Sequence, residues 1–128
     1  PSVPNLFPSM THQSCLFCKI VAGAIPADIV MQNEHLVIFK DIAPKAPAHL
    51  LIVPKKHLLN INELTEEDAA LSWQLVRAAR ELAQKYGNDG DHGFNLIANN
   101  GRSAGQAVDH LHWHFIAGRN IYEGGFSL

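Results

Sequence analysis

The chain has 128 residues, 47% hydrophobic and 17% charged, which suits one domain with a real core and excludes a disordered chain or a two-domain enzyme. Ten Lys and Arg against twelve Asp and Glu leave a net −2 with His neutral, which argues against nucleic acid or any other polyanionic partner. No apolar run reaches the roughly 18 residues of a spanning helix, and the start lacks the basic-then-apolar order of a secretory signal, so a soluble cytoplasmic protein is expected.

In chain order, Pro1 to Ser14 carries three Pro and no periodicity; it reads as a flexible tail, with Met10 a candidate natural start. Cys15 to Gly23 holds a short apolar run ended by Gly23 and Pro26, about two turns of helix. Ile29–Gln32 and Leu36–Lys40 read as strands around the turn residues Asn33 and Glu34, with Asp41 at the end of the second. Pro44, Pro47 and Pro54 bracket His49–Val53, a buried strand entered from an extended loop. Thr65 is an N-cap residue followed by three acids, and Leu71, Leu75, Ala78, Ala79, Leu82 and Tyr86 recur at helical spacing up to Gly87, which predicts one long helix over one face of a sheet. Asn88–Gly93 is turn chemistry, Phe94–Ala98 another strand and Asn99–Gly105 a polar, glycine-containing loop. His110–Ile116 is expected to be a strand. These elements predict an α+β domain over residues 15–120, an antiparallel sheet of about five strands with one long helix and a short N-terminal one, followed by a tail over 121–128.

Eight His is an unusual number for this length, and three of them alternate with Leu111, Trp113 and Phe115. On a strand, period two puts the three imidazoles on one face. Cα atoms two residues apart lie about 6.6 Å apart and four residues apart about 13 Å, so His112 and His114 can converge on one small group while His110 faces something else. That something else can be zinc: Cys15 and Cys18 are too close to staple a fold but supply two soft ligands, with His57 and His110 as candidates for the other two. The rival reading of Cys15 and Cys18 is a redox pair at a helix start. Beside His112 and His114, Gly101 and Gly105 allow backbone N–H groups to point at one oxygen cluster and Asn99 adds an amide donor, a nest suited to phosphate. A neutral imidazole is a competent nucleophile at pH 7 and, once bonded to phosphorus, a competent leaving group.

His110-Leu-His-Trp-His-Phe-Ile116, together with Phe17-Cys-Lys-Ile20, Phe39-Lys-Asp-Ile42, Ala46-Pro-Ala-His49, Ile52-Val-Pro-Lys-Lys-His57, Asn99-Asn-Gly101 and Gly105-Gln106, resembles the histidine triad (HIT) superfamily, and most closely its Hint branch of nucleotide-binding proteins. The resemblance implies a homodimer whose sheet continues across the subunits, binding of purine nucleoside monophosphates, and hydrolysis of nucleoside phosphoramidates without a catalytic metal. By motif position it implies His112 as nucleophile, His114 on a phosphate oxygen and His49 assisting proton handling. It also implies Asn99 and the backbone of Gly105, Gln106, Ala107 and Val108 as the phosphate cradle, Asp41 at the ribose hydroxyls with Ile42 alongside, and Phe17, Ile20 and Phe39 around the base. A structural zinc on Cys15, Cys18, His57 and His110 follows from the same likeness. Ala107 stands where the family often has Ser, which implies slower turnover, and the segment Ile121–Leu128 lacks the Trp of eukaryotic relatives.

Three rival functions fit the same residues: a non-catalytic nucleotide-binding or adaptor dimer, a dinucleoside polyphosphate hydrolase or nucleotidyl transferase of the same superfamily, and a metal-dependent hydrolase using the triad directly. Turnover of an AMP phosphoramidate, a substrate panel and chelation separate them in turn.

Overall fold

The computed structural model describes residues 14–128; apart from Ser14, the tail expected over residues 1–14 lies outside them. Five antiparallel strands form one sheet in the order β1-β2-β3-β5-β4, with β1 at Ile29–Gln32, β2 at Leu36–Lys40, β3 at Ala48–Pro54, β4 at Asn95–Ile97 and β5 at Trp113–Ala117. The β1–β2 turn forms where Asn33 was expected to make one: its Oδ1 accepts from the N–H groups of both His35 and Leu36.

The central strands are apolar on both faces because each face has its own cover. Leu36 and Ile38 of β2 and Leu50 and Ile52 of β3 join the core beneath helix α2, Ala69–Tyr86. Val37, Phe39, Leu51 and Val53, the alternate residues, join a second core with Phe17 and Ile20 of helix α1, Leu16–Val21. A 3₁₀ turn, Glu66–Asp68, leads into α2, and Thr65 caps it in a reciprocal capping box with Asp68. At the other end, a Cβ on Gly87 would lie 2.5 Å from the Ala83 carbonyl oxygen, so the helix closes where only glycine fits. Buried Leu71, Leu75, Ala78, Ala79 and Leu82 form the stripe that the spacing predicts.

The site occupies the α1 face. Register pairs His114 with Leu51 and His49 with Ile116, so both histidines share a sheet face with Leu51, while Phe115 and Trp113 point toward α2. Among the described residues no helix is long and apolar enough to cross a membrane.

Candidate active site and metal centre

Of the three alternating histidines only His114 lies within β5, so the strand expected to start at His110 starts at Trp113. The lead-in bends at His110 and bonds elsewhere: His110 N–H donates to Val108 O and Leu111 N–H to Leu58 O. His110 is fully buried, donates from Nε2 to Pro54 O at 2.8 Å, and turns Nδ1 toward the cysteines.

Cys15 is the N-cap of α1, its sulfur accepting the Cys18 N–H, which brings both sulfurs to one helix entrance. His110 Nδ1 lies 3.3 Å from Cys15 Sγ and 3.5 Å from Cys18 Sγ, and Cys18 Sγ lies 3.1 Å from His57 Nδ1. The four ligand atoms all fall within 4.8 Å of one another. Two sulfurs and two imidazole nitrogens at that spacing fit a closed tetrahedral site, and the Pro54 carbonyl fixes the His110 tautomer whose Nδ1 lone pair faces inward. Burial, and then the Cys15 sulfur beside it, push the Cys18 thiol up to about 12. Holding both sulfurs as thiolates would take a cation beside them. Both cysteines are free thiols, and α1 precedes every described strand, unlike the strand–helix order of a thioredoxin-like redox pair.

On the far side of Phe17, whose ring stands 5.9 Å from that of His110 and 5.0 Å from that of His112, a cavity of about 260 Å³ holds the other histidines. His49, His112 and His114 form its polar wall with Asp41 and Asn99, while Phe17, Leu51 and Val108 form its apolar wall. His112 donates from Nδ1 to His110 O at 2.7 Å. A carbonyl only accepts, so Nδ1 carries the proton and the Nε2 lone pair is free.

A second backbone group sets the opposite state in His114. The Lys45 N–H donates to His49 Nδ1 at 3.0 Å, which obliges the neutral His49 ring to carry its proton on Nε2. That nitrogen lies 2.9 Å from His114 Nδ1 and 3.4 Å from Asp41 Oδ2. His114 Nδ1 thus accepts, and its own proton sits on Nε2. Asp41, His49 and His114 also lie within 4.8 Å of one another, but a protonated His49 Nε2 is a donor and not a metal ligand, so His49 and His114 form a hydrogen-bonded pair with the Asp41 carboxylate beside it. Burial lowers the pKa of all three histidines. For His114 burial acts first, then the neighbouring His112 and His49, bringing it down to about 4. For His49 burial outweighs the opposing Asp41 charge, and for His112 it outweighs the opposing bond to His110. All three are neutral at pH 7.

Of the expected binding residues, Phe17, Asp41, Asn99, Gly105, Ala107 and Val108 line the cavity and four others do not. Ile20 and Phe39 are buried in the core behind Phe17, because the α1 face needs apolar cover there. Ile42 is wholly exposed outside the cavity. Gln106 faces inward: its Oε1 accepts from Gly101 N–H and Asn60 Nδ2, and its Nε2 donates to Leu59 O and Val108 O. It holds the loop closed and leaves contact with any ligand to its neighbours. Gly101 and Gly105, at φ of +99° and +97°, make the turns that loop requires. Sequence reasoning missed Ala43, Lys45, Leu51 and Leu128 in the lining. Leu51 was within reach, two residues past His49 on the same strand face.

Residues 22–121 match the family described as HIT domain. The chain is 42% identical over 110 residues to an uncharacterized HIT-like protein of Methanocaldococcus jannaschii, covering 86% of this chain and 81% of that protein. It is 39% identical over 105 residues to Protein hit of Bacillus subtilis, covering 81% and 70%. Among solved structures, a HIT family hydrolase from Legionella pneumophila superposes with a TM-score of 0.79 at 39% identity, covering 88% of this chain and all of that one. A HIT family hydrolase from Clostridium thermocellum gives 0.78 at 36% identity, covering 91% and 97%. The family match spans β1 to β5 with every histidine of the cavity, and on that ground the chain belongs to the HIT family.

Proposed function

We propose that the protein hydrolyses purine nucleoside phosphoramidates through a nucleotidyl-His112 intermediate. The observation that carries this reading is the pair of opposite imidazole states: His112 presents a lone pair at Nε2 while His114 presents a proton at Nε2, side by side with ring centroids 5.1 Å apart. One attacks phosphorus and the other donates to a phosphate oxygen. In the first step a bond forms between His112 Nε2 and the α-phosphorus, and the phosphorus–nitrogen bond breaks with its electron pair and a solvent proton leaving on the amine. In the second, water adds to phosphorus, gives its proton to solvent, and the pair of the nitrogen–phosphorus bond returns to His112. Asn99 and the N–H groups of Ala107 and Val108, which find no acceptor among the described residues, would hold the remaining oxygens. At about 260 Å³ the cavity is smaller than the roughly 300 Å³ at which small-molecule pockets begin, so phosphate and ribose would fill it and the base would lie across its mouth.

Cys15, Cys18, His57 and His110 would hold a structural zinc, whose chemistry is to lock α1 onto the triad lead-in. No step of the reaction passes through it. A homodimer is part of the reading: β4 is an edge strand with Leu96 exposed on it and Phe94 exposed just before it, an edge that a second copy would cover.

The test is turnover of a fluorogenic AMP phosphoramidate by the full chain and by His112→Ala. The variant is expected to bind AMP and turn over nothing, and mass spectrometry of the quenched wild-type reaction to find the nucleotide on His112. Full activity in the variant would remove His112 from the mechanism, and an unreactive wild type that still binds AMP would favour the adaptor role.

A further inference from the structure

Two residues past β5, Arg119 makes contacts that the reaction as described leaves unused. Its Nε donates to Lys45 O at 2.9 Å, its Nη1 to Glu123 O and its Nη2 to Gly125 O, both at 3.2 Å. The guanidinium also stands 5.6 Å from the centre of the Phe126 ring. All three donors end on backbone carbonyls, and no ion pair among the described residues involves this arginine. A rigid planar fork that satisfies three carbonyls from two separate segments holds those segments in one arrangement. The approach is built in: at Gly118 (φ +98°) a Cβ would lie 2.7 Å from the Pro47 side chain, so only glycine lets the end of β5 press against the loop that carries Lys45.

Both segments reach the cavity. The C-terminal one puts Leu128 in its wall. The other presents the Lys45 N–H that determines which nitrogen of His49, and through it of His114, carries the proton. Lys45 itself is exposed and sits between Pro44 and Pro47, so no buried packing of its own side chain holds that N–H in place.

We propose that Arg119 is a positioning residue: by clamping the Lys45 carbonyl to the C-terminal segment it keeps the Lys45 N–H on His49 and so keeps His114 in the state that donates to the substrate. The consequence for turnover rests on the function proposed above; the consequence for the histidine tautomers does not.

The experiment is long-range ¹H–¹⁵N NMR of the ¹⁵N-histidine-labelled full chain at pH 7.5 without substrate, in wild type, Arg119→Ala and Arg119→Lys. Wild type should show His49 and His114 protonated on Nε2 with Nδ1 accepting. In Arg119→Ala the two nitrogen shifts of His49 should move toward each other as the ring loses its fixed donor, with His114 following. Lysine has no fork and should fall between. A folded Arg119→Ala with both histidines at wild-type shifts overturns the proposal; should the alanine variant unfold, the lysine variant decides by the same shifts. On an AMP phosphoramidate, kcat should fall about tenfold with KM changed less than about twofold. An equal rise in KM with kcat unchanged contradicts the positioning role. Shifts that move in a protein with no phosphoramidate turnover uphold the clamp and refute the substrate.

Discussion

The neutral, buried His114 makes the protein less stable in mild acid, and the size of the effect follows from its surroundings. The ring is 8% exposed and its pKa falls to about 4 from an ordinary 6.5. Above pH 6.5 the ring is neutral in both folded and unfolded chains and contributes no pH dependence. As pH falls from 6.5 toward 4 the unfolded chain takes up a proton that the folded one refuses, so stability is lost across that window and levels off below it. The loss amounts to about 2 kcal/mol by pH 5 and about 3 kcal/mol by pH 4. Urea unfolding of wild type and His114→Gln at pH 7, 6, 5 and 4 reads the term as the change in the gap between them. Glutamine keeps a donor near the Nε2 position but cannot titrate. At pH 7 the variant should be the less stable protein, having lost packing and the bond from His49. The gap should close by about 2 kcal/mol at pH 5 and the order should reverse or nearly so at pH 4. A gap constant within about 0.5 kcal/mol from pH 7 to pH 4.5 would show that burial does not depress the His114 pKa and would refute this account of acid sensitivity.

Gln106→Ala strands the Gly101 N–H and the Leu59 and Val108 carbonyls at once; it should cost about 2–4 kcal/mol in urea unfolding and weaken AMP binding by calorimetry, although the side chain never reaches the cavity. Removing metal with a strong chelator should release about one zinc per chain and lower the melting temperature by at least about 5 °C, while phosphoramidate turnover survives in whatever remains folded; silenced turnover in folded protein would revive the metal-dependent alternative. Leu96→Asp places a charge on the open edge of β4 and should shift the chain to a monomer by light scattering. Ala107→Ser, at the cavity wall, should raise turnover a few-fold by adding a hydroxyl donor near the leaving group.

Much of the architecture was legible because it is written in periodicity. Both hairpin strands appear with the residues expected, since Asn33 and the apolar runs on either side leave one solution, and the stripe of α2 is buried as its spacing requires. Expectation and geometry part where an apolar or polar residue has two compatible uses. Phe17 and Phe39 stand edge to face 5.5 Å apart; one lines the cavity and the other is buried behind it, a difference of depth that spacing along the chain does not encode. Gln106 is expected to lend its backbone to a phosphate cradle; its N–H donates to Gly101 O, and its carboxamide faces back into the loop, where four backbone and side-chain groups need partners.

The alternation of His110, His112 and His114 predicts that neighbouring rings converge, yet it contains nothing about which nitrogen of each ring is protonated. Pro54 O, His110 O and the Lys45 N–H decide that, and all three are main-chain groups, identical in every residue and invisible to a reading of side-chain types. Their placement depends on where β5 begins. Had the strand run from His110, the carbonyl of that residue would be free to enter the ladder with a neighbour; because the ladder starts at Trp113, the carbonyl remains available to His112. The chemistry of the triad therefore depends on three residues of lead-in that decline to pair as a strand, and the histidine that stays closest to the sheet, His114, is the one whose protonation must be set from a different loop.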